Sequence, residues 1–337
     1  MKPIAVSMGE PAGIGPEIIL AAWRARKEQN LPPFFVCGDD RLFRDLGHSS
    51  DVNVQLLQSV DQVTVHRSTL WVGAYGLRGT VNPGHPDASR ASTVIAALER
   101  ATDYCISGEA SALVTAPIQK STLYDAGFKY PGHTEYLEAR FAGEKTAPEA
   151  LMLLVGGGLR VALVTIHIPL KDVAASITQA AIVRKGQILA RGLKQDFGIE
   201  HPRIAVAALN PHGGEDGSLG REEIEIIAPA VRALAAKGVN ARGPFPADTL
   251  FHAEARKKYD AVLCMYHDQA LIPLKTLDFY TGVNVTLGLP IVRTSPDHGT
   301  ALDIAGKGIA NPSSFIAALK LAAEIAERRE RARAPSR

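Results

Sequence analysis

Short apolar, β-branched runs alternate with stretches of helical periodicity from one end of the chain to the other. Such runs, bounded by turn-forming residues, are the pattern of buried strands, and strands alternating with helices build parallel sheets covered by helices. The pattern predicts strands over Ile4–Met8, Phe34–Gly38, Ala112–Ala116, Val161–Ile166, Ile204–Leu209, Val262–Met265 and Val283–Leu287. Helices fill the intervals. One follows Gly15, with Pro16 in its first turn and Glu17 near the positive end of its dipole. A second, over Arg221–Lys237, places Ile224, Ile227, Val231 and Leu234 on one face and stops at Gly238. A third, Ala-rich, covers Ser89–Thr102. The last begins near Ser313 and decays into Glu327–Arg333, a solvated, frayed end with its cations at the negative pole of the dipole.

Three of these strand patterns run straight into a histidine: Arg160–His167, Arg203–His212 and Ala261–His267. Ligands of open α/β sheets sit outside the carboxyl ends of the strands, so three imidazoles delivered there can converge on one metal. A single histidine ending a strand is more often a hydrogen-bonded structural residue. Three of the chain's 10 histidines in equivalent places shift the balance towards a shared ion. Asn210-Pro-His212 and Tyr266-His267-Asp268-Gln269 also supply polar neighbours that fix ring tautomers. The spacing is too wide for a zinc finger or a His-Glu-x-x-His helix, which leaves a catalytic site with open coordination positions.

Further candidates are local. Lys275, Asn284 and Arg293 flank the strand Gly282–Gly288, where cations beside an amide can clamp a phosphate or carboxylate; taken singly, the two cations read as solvated surface charges. Gly9-Glu-Pro-Ala-Gly-Ile-Gly15 follows the first strand and opens a helix, but it is neither a dinucleotide fingerprint nor a P-loop, and a tight turn needing positive φ explains it as well. In Pro131-Gly-His133-Thr134-Glu135, Thr134 is expected as an N-cap, and with His133 it can also offer donors to an anion. Asp248 likewise opens a helix as a cap or a catalytic carboxylate.

At 337 residues and 46% hydrophobic content, the chain is large enough for two cored domains. With 37 basic against 35 acidic side chains it has no electrostatic footprint for duplex nucleic acid, so an anionic partner is small and held locally. No apolar run spans a bilayer and the first residues read as a strand rather than a signal core, so no membrane partner and a cytoplasmic location are expected. Cys37, Cys105 and Cys264 are odd in number, widely spaced and in or beside apolar stretches, and read as reduced core thiols. No fixed-period repeat or low-complexity linker divides the chain, and Lys129–His133 and Thr286–Pro290 are the plausible crossing points between domains.

Taken together, Met8-Gly-Glu-Pro-Ala-Gly-Ile-Gly-Pro-Glu17, Val114-Thr-Ala-Pro117, Pro131-Gly-His-Thr-Glu135, Asn210-Pro-His-Gly-Gly214, Met265-Tyr-His-Asp-Gln269 and the stretch Gly282–Thr300 closely resemble the 4-hydroxythreonine-4-phosphate dehydrogenase family, in order and over nearly the whole chain. His298–Pro312 and Gly13-Ile-Gly-Pro-Glu17 are more distantly similar to isocitrate and isopropylmalate dehydrogenases. The resemblance implies an α/β fold of two α/β/α domains with mixed, mostly parallel sheets and an interdomain cleft. It implies a discontinuous domain, 1–132 plus 290–337, carrying most cofactor contacts, and a metal- and substrate-binding, dimer-forming domain, 133–289. Position by position it makes His167, His212 and His267 ligands of one divalent metal (Zn, Co or Mg), and His133, Thr134, Lys275, Asn284 and Arg293 substrate contacts. Asp303, Gly306 and Asn311 would lie along the adenosine half of NAD or NADP. The family's site forms between two subunits of a homodimer, with the third histidine contributed across the interface.

The implied reaction is oxidation of the C3 hydroxyl of a small phosphorylated amino acid, 4-phosphooxy-L-threonine, with the metal lowering the hydroxyl pKa and a carboxylate, Asp248 or Asp268, taking the proton. Three histidines and a cation also serve a related dehydrogenase of another phosphorylated hydroxy acid, a zinc hydrolase or a metal-dependent aldolase. A two-lobed binding protein for a phosphorylated metabolite is the reading without catalysis.

Overall fold

Twelve strands form among the described residues: β1 (Ile4–Ser7), β2 (Phe34–Cys37), β3 (Val54–Leu56), β4 (Leu70–Val72), β5 (Leu113–Thr115), β6 (Leu151–Gly156), β7 (Leu159–Leu163), β8 (Ile204–Ala207), β9 (Ala241–Phe245), β10 (Ala261–Cys264), β11 (Val283–Leu287) and β12 (Arg293–Pro296). They come from a computed structural model that describes residues 2–48, 51–65, 68–77, 79–142 and 148–333. All seven expected strands are present. β1, β2, β5, β8 and β10 are buried along their whole length, as strands apolar on both faces must be.

The chain divides into two compact units, Met1–Pro148 with Leu289–Glu330, and Glu149–Gly288 with Arg331–Arg337. In the first, the order is β3-β4-β2-β1-β5-β12 and every pairing is parallel. In the second, the order is β11-β6-β7-β10-β8-β9. There β6 runs antiparallel to both neighbours and the rest of the sheet is parallel. The fold is therefore α/β with mostly parallel sheets. The helix His133–Phe141 belongs to the first unit: its Tyr136 ring lies 5.6 Å from that of Tyr130, and Arg140 pairs with Asp103 at 2.9 Å. The chain leaves that unit after Pro148 rather than at 132.

The expected helices form, with instructive departures. Over 221–237 the chain makes a π turn, Glu223–Ile227, before the helix Ala228–Ala236. The extra residue rotates the face, so Ile224 is 45% exposed while Ile227 and Leu234 are fully buried and Glu223 turns inward at 3%. The C-terminal helix stays regular from Ser313 to Arg333 and is not frayed before its end. Arg329 is buried and donates to the carbonyls of Leu289 and Pro290, so this cation is a structural tie and not a solvated one. Thr134 is not an N-cap; Gly132 occupies that place and no side chain caps the helix. Asp248 lies inside a short 3-10 turn, Ala247–Thr249, capped by Pro246.

The turn reading of the Gly9 motif holds. Gly9 has φ of 71°, a Cβ there would collide with the carbonyl of Pro117, and the Glu10 N–H donates to that carbonyl at 2.8 Å. All three cysteines are free, and burial pushes the Cys37 thiol up to about 12, as for an inert core residue. Among the described residues no helix is long and apolar enough to cross a membrane.

Candidate active site

In the second unit β10 lies between β7 and β8 and runs parallel to both, so three carboxyl ends emerge side by side. The β7–β10 ladder continues beyond the strands: Val164 N–H donates to Cys264 O at 2.9 Å, and the Thr165 hydroxyl to Met265 O at 2.7 Å. This zipper delivers His167 and His267 together, with ring centroids 5.7 Å apart. On the other side, the amide of buried Gln269 accepts from Met265 N–H at 2.8 Å and donates to Ala208 O at 2.6 Å. One side chain thus ties the exit of β10 to the exit of β8. Gln269 stood in the Met265–Gln269 motif, but its role as a brace was not legible there.

His212 leaves β8 in a different manner. Its φ of 51° begins a run of positive values through Gly217, a turn held at its base by Glu223, which accepts from the N–H groups of Leu209 and Asn210, both at 2.8 Å. His167 and His212 are exposed and His267 partly so. Among the described residues of one chain, no three His, Cys, Asp or Glu side chains are gathered closely enough to hold an ion, so the structure unites His167 and His267 but not all three.

The donor chemistry nevertheless fits a divalent cation. Asp268 Oδ1 lies 2.7 Å from His267 Nδ1. A carboxylate there keeps the proton on Nδ1 and presents the Nε2 lone pair to a ligand. Lys275 lies on the helix His267–Leu277 with its ammonium 5.3 Å from the Phe279 ring centroid. Asn284, in β11, has its Oδ1 sealed from solvent with no hydrogen-bond partner among the described residues. Asp248 is exposed on its turn. That turn packs on the His212 loop, for Pro246 Cγ stands 3.7 Å from where a Cβ on Gly213 would be.

The first unit carries a second cluster. Arg293 is not the solvated surface charge its composition suggested: it is 3% exposed and donates to Thr115 Oγ1 at 2.7 Å. Burial pulls its guanidinium down to about 10, against the opposing attraction of Glu135. His133 lies close by, and burial first, then Arg293 and Lys120, hold its ring well below the ordinary histidine value. The ring is neutral at pH 7, and its Nε2 is sealed from solvent without a hydrogen-bond partner among the described residues. Thr134 follows it in the first turn of the helix.

Of the residues expected to touch a cofactor, Asp303 is exposed, and Asn311 Oδ1 accepts from Ser313 N–H at 2.9 Å at the start of the last helix. Gly306 has φ of 78°, and its N–H is taken by the carboxylate of Glu17, which also accepts from Gly308 N–H at 3.3 Å. Glu17 thus reaches 289 positions along the sequence to shape that loop. The sequence showed only its place in a helix's first turn.

The profile of pyridoxal phosphate biosynthetic protein PdxA matches residues 30–322. The chain belongs to the PdxA family. It is 53% identical over 330 residues to the 4-hydroxythreonine-4-phosphate dehydrogenase of Caulobacter vibrioides, covering 97% of this chain and 98% of that one. It is 50% identical over 335 residues to the protein of the same name from Bradyrhizobium diazoefficiens, covering 96% and 97%. Among solved structures it is similar to the Klebsiella pneumoniae 4-hydroxythreonine-4-phosphate dehydrogenase, with TM-score 0.86, 39% identity, and 97% and 100% of the two chains covered. The isocitrate dehydrogenase of Methylococcus capsulatus shares the fold alone, at TM-score 0.52 and 14% identity over 99% and 88% of the chains. The family resemblance drawn from the sequence motifs and the mixed, mostly parallel α/β fold it implied are borne out.

Proposed function

We propose that this PdxA-family chain oxidises 4-phosphooxy-L-threonine at its C3 hydroxyl with NAD or NADP, the 4-hydroxythreonine-4-phosphate dehydrogenase step of pyridoxine and pyridoxal 5'-phosphate biosynthesis. The product, 2-amino-3-oxo-4-phosphooxybutanoate, is a β-keto acid and loses carbon dioxide to give 3-amino-2-oxopropyl phosphate. The observation that carries this reading is the 53% identity to the Caulobacter vibrioides dehydrogenase along 97% of the chain.

His167, His212 and His267 are the proposed ligands of one divalent cation, with Zn, Co or Mg its proposed identities; imidazole suits zinc and cobalt best. Held there, the cation would supply Lewis acidity towards the C3 hydroxyl, and NAD or NADP would supply the hydride acceptor. The chain's own part is positioning and proton transfer. Asp268 is engaged with His267 Nδ1 and orients that ring, which leaves Asp248, on the turn against the His212 loop, to receive the hydroxyl proton. His133, Thr134, Lys275, Asn284 and Arg293 are the proposed contacts to the phosphate and amino-acid ends. The sealed amide oxygen of Asn284 supports this, since a buried polar atom is costly without a partner, and Arg293 offers a buried cation anchored on Thr115. Asp303, Gly306 and Asn311 belong to the proposed cofactor loop, with Gly306 contributing shape rather than its N–H.

A homodimer with shared sites is part of the proposal. One chain gathers two of the three rings, and a second subunit can supply the remaining ligand. Ile168 and Leu170, just after His167, and Ile272, Phe279 and Tyr280, on and after the His267 helix, are large apolar side chains left 38–72% exposed, as suits a subunit face. Free thiols accord with a cytoplasmic location.

The test is direct. Purified protein with divalent metal, 4-phosphooxy-L-threonine and NAD or NADP forms reduced nicotinamide. A hydrolase or aldolase would consume substrate with no change in nicotinamide absorbance, and that result would overturn the proposal.

A further inference from the structure

We infer that Thr165 and Gln269 are positioning residues of the proposed metal site: their side chains cross-link the exits of β7, β10 and β8 and so set the spacing at which His167, His267 and His212 are presented. The inference rests on the proposed ligand set and adds two residues to which that proposal gives no part.

A parallel ladder holds its strands at a fixed spacing only as far as its backbone bonds run, and twist separates the chains beyond them. The pairing of β10 with β8 extends to Leu263 opposite Val206. Met265 and Ala208 stand two residues further along each strand, and here the Gln269 amide takes over: its Oε1 accepts from Met265 N–H at 2.8 Å and its Nε2 donates to Ala208 O at 2.6 Å. On the other flank β10 pairs with β7 as far as Cys264 opposite Leu163. Just beyond, Met265 O accepts both the Thr165 N–H at 3.2 Å and the Thr165 hydroxyl at 2.7 Å. Ala208 N–H in turn donates to Phe245 O of β9 at 2.8 Å. A continuous hydrogen-bonded line therefore runs from Thr165 through Met265, Gln269 and Ala208 to Phe245, across four strand exits.

That line lies directly behind the proposed site. His167 and His267 each follow it by two residues, Asp248 by three and His212 by four. Ligand groups must sit within about 0.5 Å of their working geometry to hold an ion well, and so short a tether passes on any shift in the strand exits. Thr165, Met265, Gln269 and Ala208 are all buried, so water does not stand in for a lost partner. Removing the Gln269 amide strands an N–H on one strand and a C=O on another. Removing the Thr165 hydroxyl costs less, because the Thr165 N–H still reaches the same carbonyl. Both side chains act on Met265, one through its N–H and the other through its C=O, so their effects are coupled.

Cobalt(II) alone is the probe, since its visible absorption reports the geometry of the groups that hold it. Wild type, Thr165→Val, Thr165→Ser, Gln269→Met and the double variant carrying Thr165→Val with Gln269→Met are titrated with cobalt against a competing chelator, and the metal-free proteins are melted. Gln269→Met is expected to weaken cobalt binding about tenfold and Thr165→Val about threefold, each with an altered cobalt spectrum, while Thr165→Ser keeps affinity and spectrum near wild type. The double variant loses less than the product of the single losses, because the two side chains share Met265. Cobalt affinity and spectrum that stay at wild-type values in both single variants overturn the inference. So does a lowered metal-free melting midpoint with cobalt binding unchanged, the mark of a purely structural tie. Should Gln269→Met not fold, Thr165→Val against Thr165→Ser decides by the same criterion. Wild-type protein that takes up no cobalt overturns the inference together with the ligand set. Cobalt binding that depends on Thr165 and Gln269, in a wild-type protein that forms no reduced nicotinamide from 4-phosphooxy-L-threonine, removes the dehydrogenase reading and leaves the inference standing.

Discussion

Glu223 and Asn210 hold each other through both oxygens of one carboxylate: Oε1 accepts the Asn210 N–H at 2.8 Å and Oε2 accepts its Nδ2 at 2.9 Å. This clasp fixes the chain two residues before His212, where the backbone turns left-handed and stays so through Asp216. A left-handed conformation costs about 1–2 kcal/mol for each residue other than glycine, so His212, Glu215 and Asp216 need an external hold. Glu223→Ala leaves three donors of this loop unmet and is expected to lower stability by roughly 2–3 kcal/mol. It should also weaken metal binding. Urea unfolding with a metal titration checks both, and an unchanged unfolding midpoint would contradict the role given to the clasp.

Glu17 does for the 306–308 loop what Glu223 does for the His212 loop, from the far end of the sequence. Glu17→Ala frees the N–H groups of Gly306 and Gly308, both in left-handed conformations. The expected result is a rise in KM for NAD or NADP of about tenfold, equivalent to roughly 1.4 kcal/mol, with KM for the phosphorylated substrate moving far less. Equal shifts in both constants would mean that Glu17 supports the fold at large and not the proposed cofactor loop.

His133 gives a pH dependence with a definite sign. Burial, then Arg293 and Lys120, keep the folded-state pKa of His133 well below the ordinary 6.5. Below pH 6.5 the unfolded chain takes up a proton that the folded chain refuses. The stabilisation is therefore complete above that value and is lost as pH falls towards the folded pKa, by about 1.4 kcal/mol per pH unit. His133→Asn removes this contribution. Urea midpoints for both proteins at pH 7 and pH 5 should show the wild type losing more stability, and parallel losses would contradict the assignment.

Where pattern and structure agree, the cause is hydrophobic burial. Ile4–Ser7 and Ile204–Ala207 have nothing polar to expose except Ser7, and the ladder places them wherever their apolar side chains direct. Polar interior residues escaped the same logic. β12 reads Arg-Thr-Ser-Pro and looks like a loop, yet all four residues are buried because Arg293 meets Thr115 and Thr294 donates to Ala318 O. β9 contains a Gly-Pro pair that argues against a strand, and pairing with β8 alone tolerates it. β6 is apolar throughout, a pattern shared by buried strands and buried helices. At the site, the histidines were legible because each ends an apolar run. Their supports were not: Gln269, Glu223 and Glu17 act through partners 61, 13–14 and 289–291 positions away, and no local pattern carries such distances.

The most direct test of the whole account is the formation of reduced nicotinamide from 4-phosphooxy-L-threonine by wild-type, His167→Ala and His267→Ala proteins, before chelation, after it, and after divalent metal is returned. Turnover by the wild type that vanishes on chelation and returns with metal, and that neither variant regains, is the predicted result. Turnover that survives chelation, or that either histidine variant retains at near wild-type rate, would contradict it.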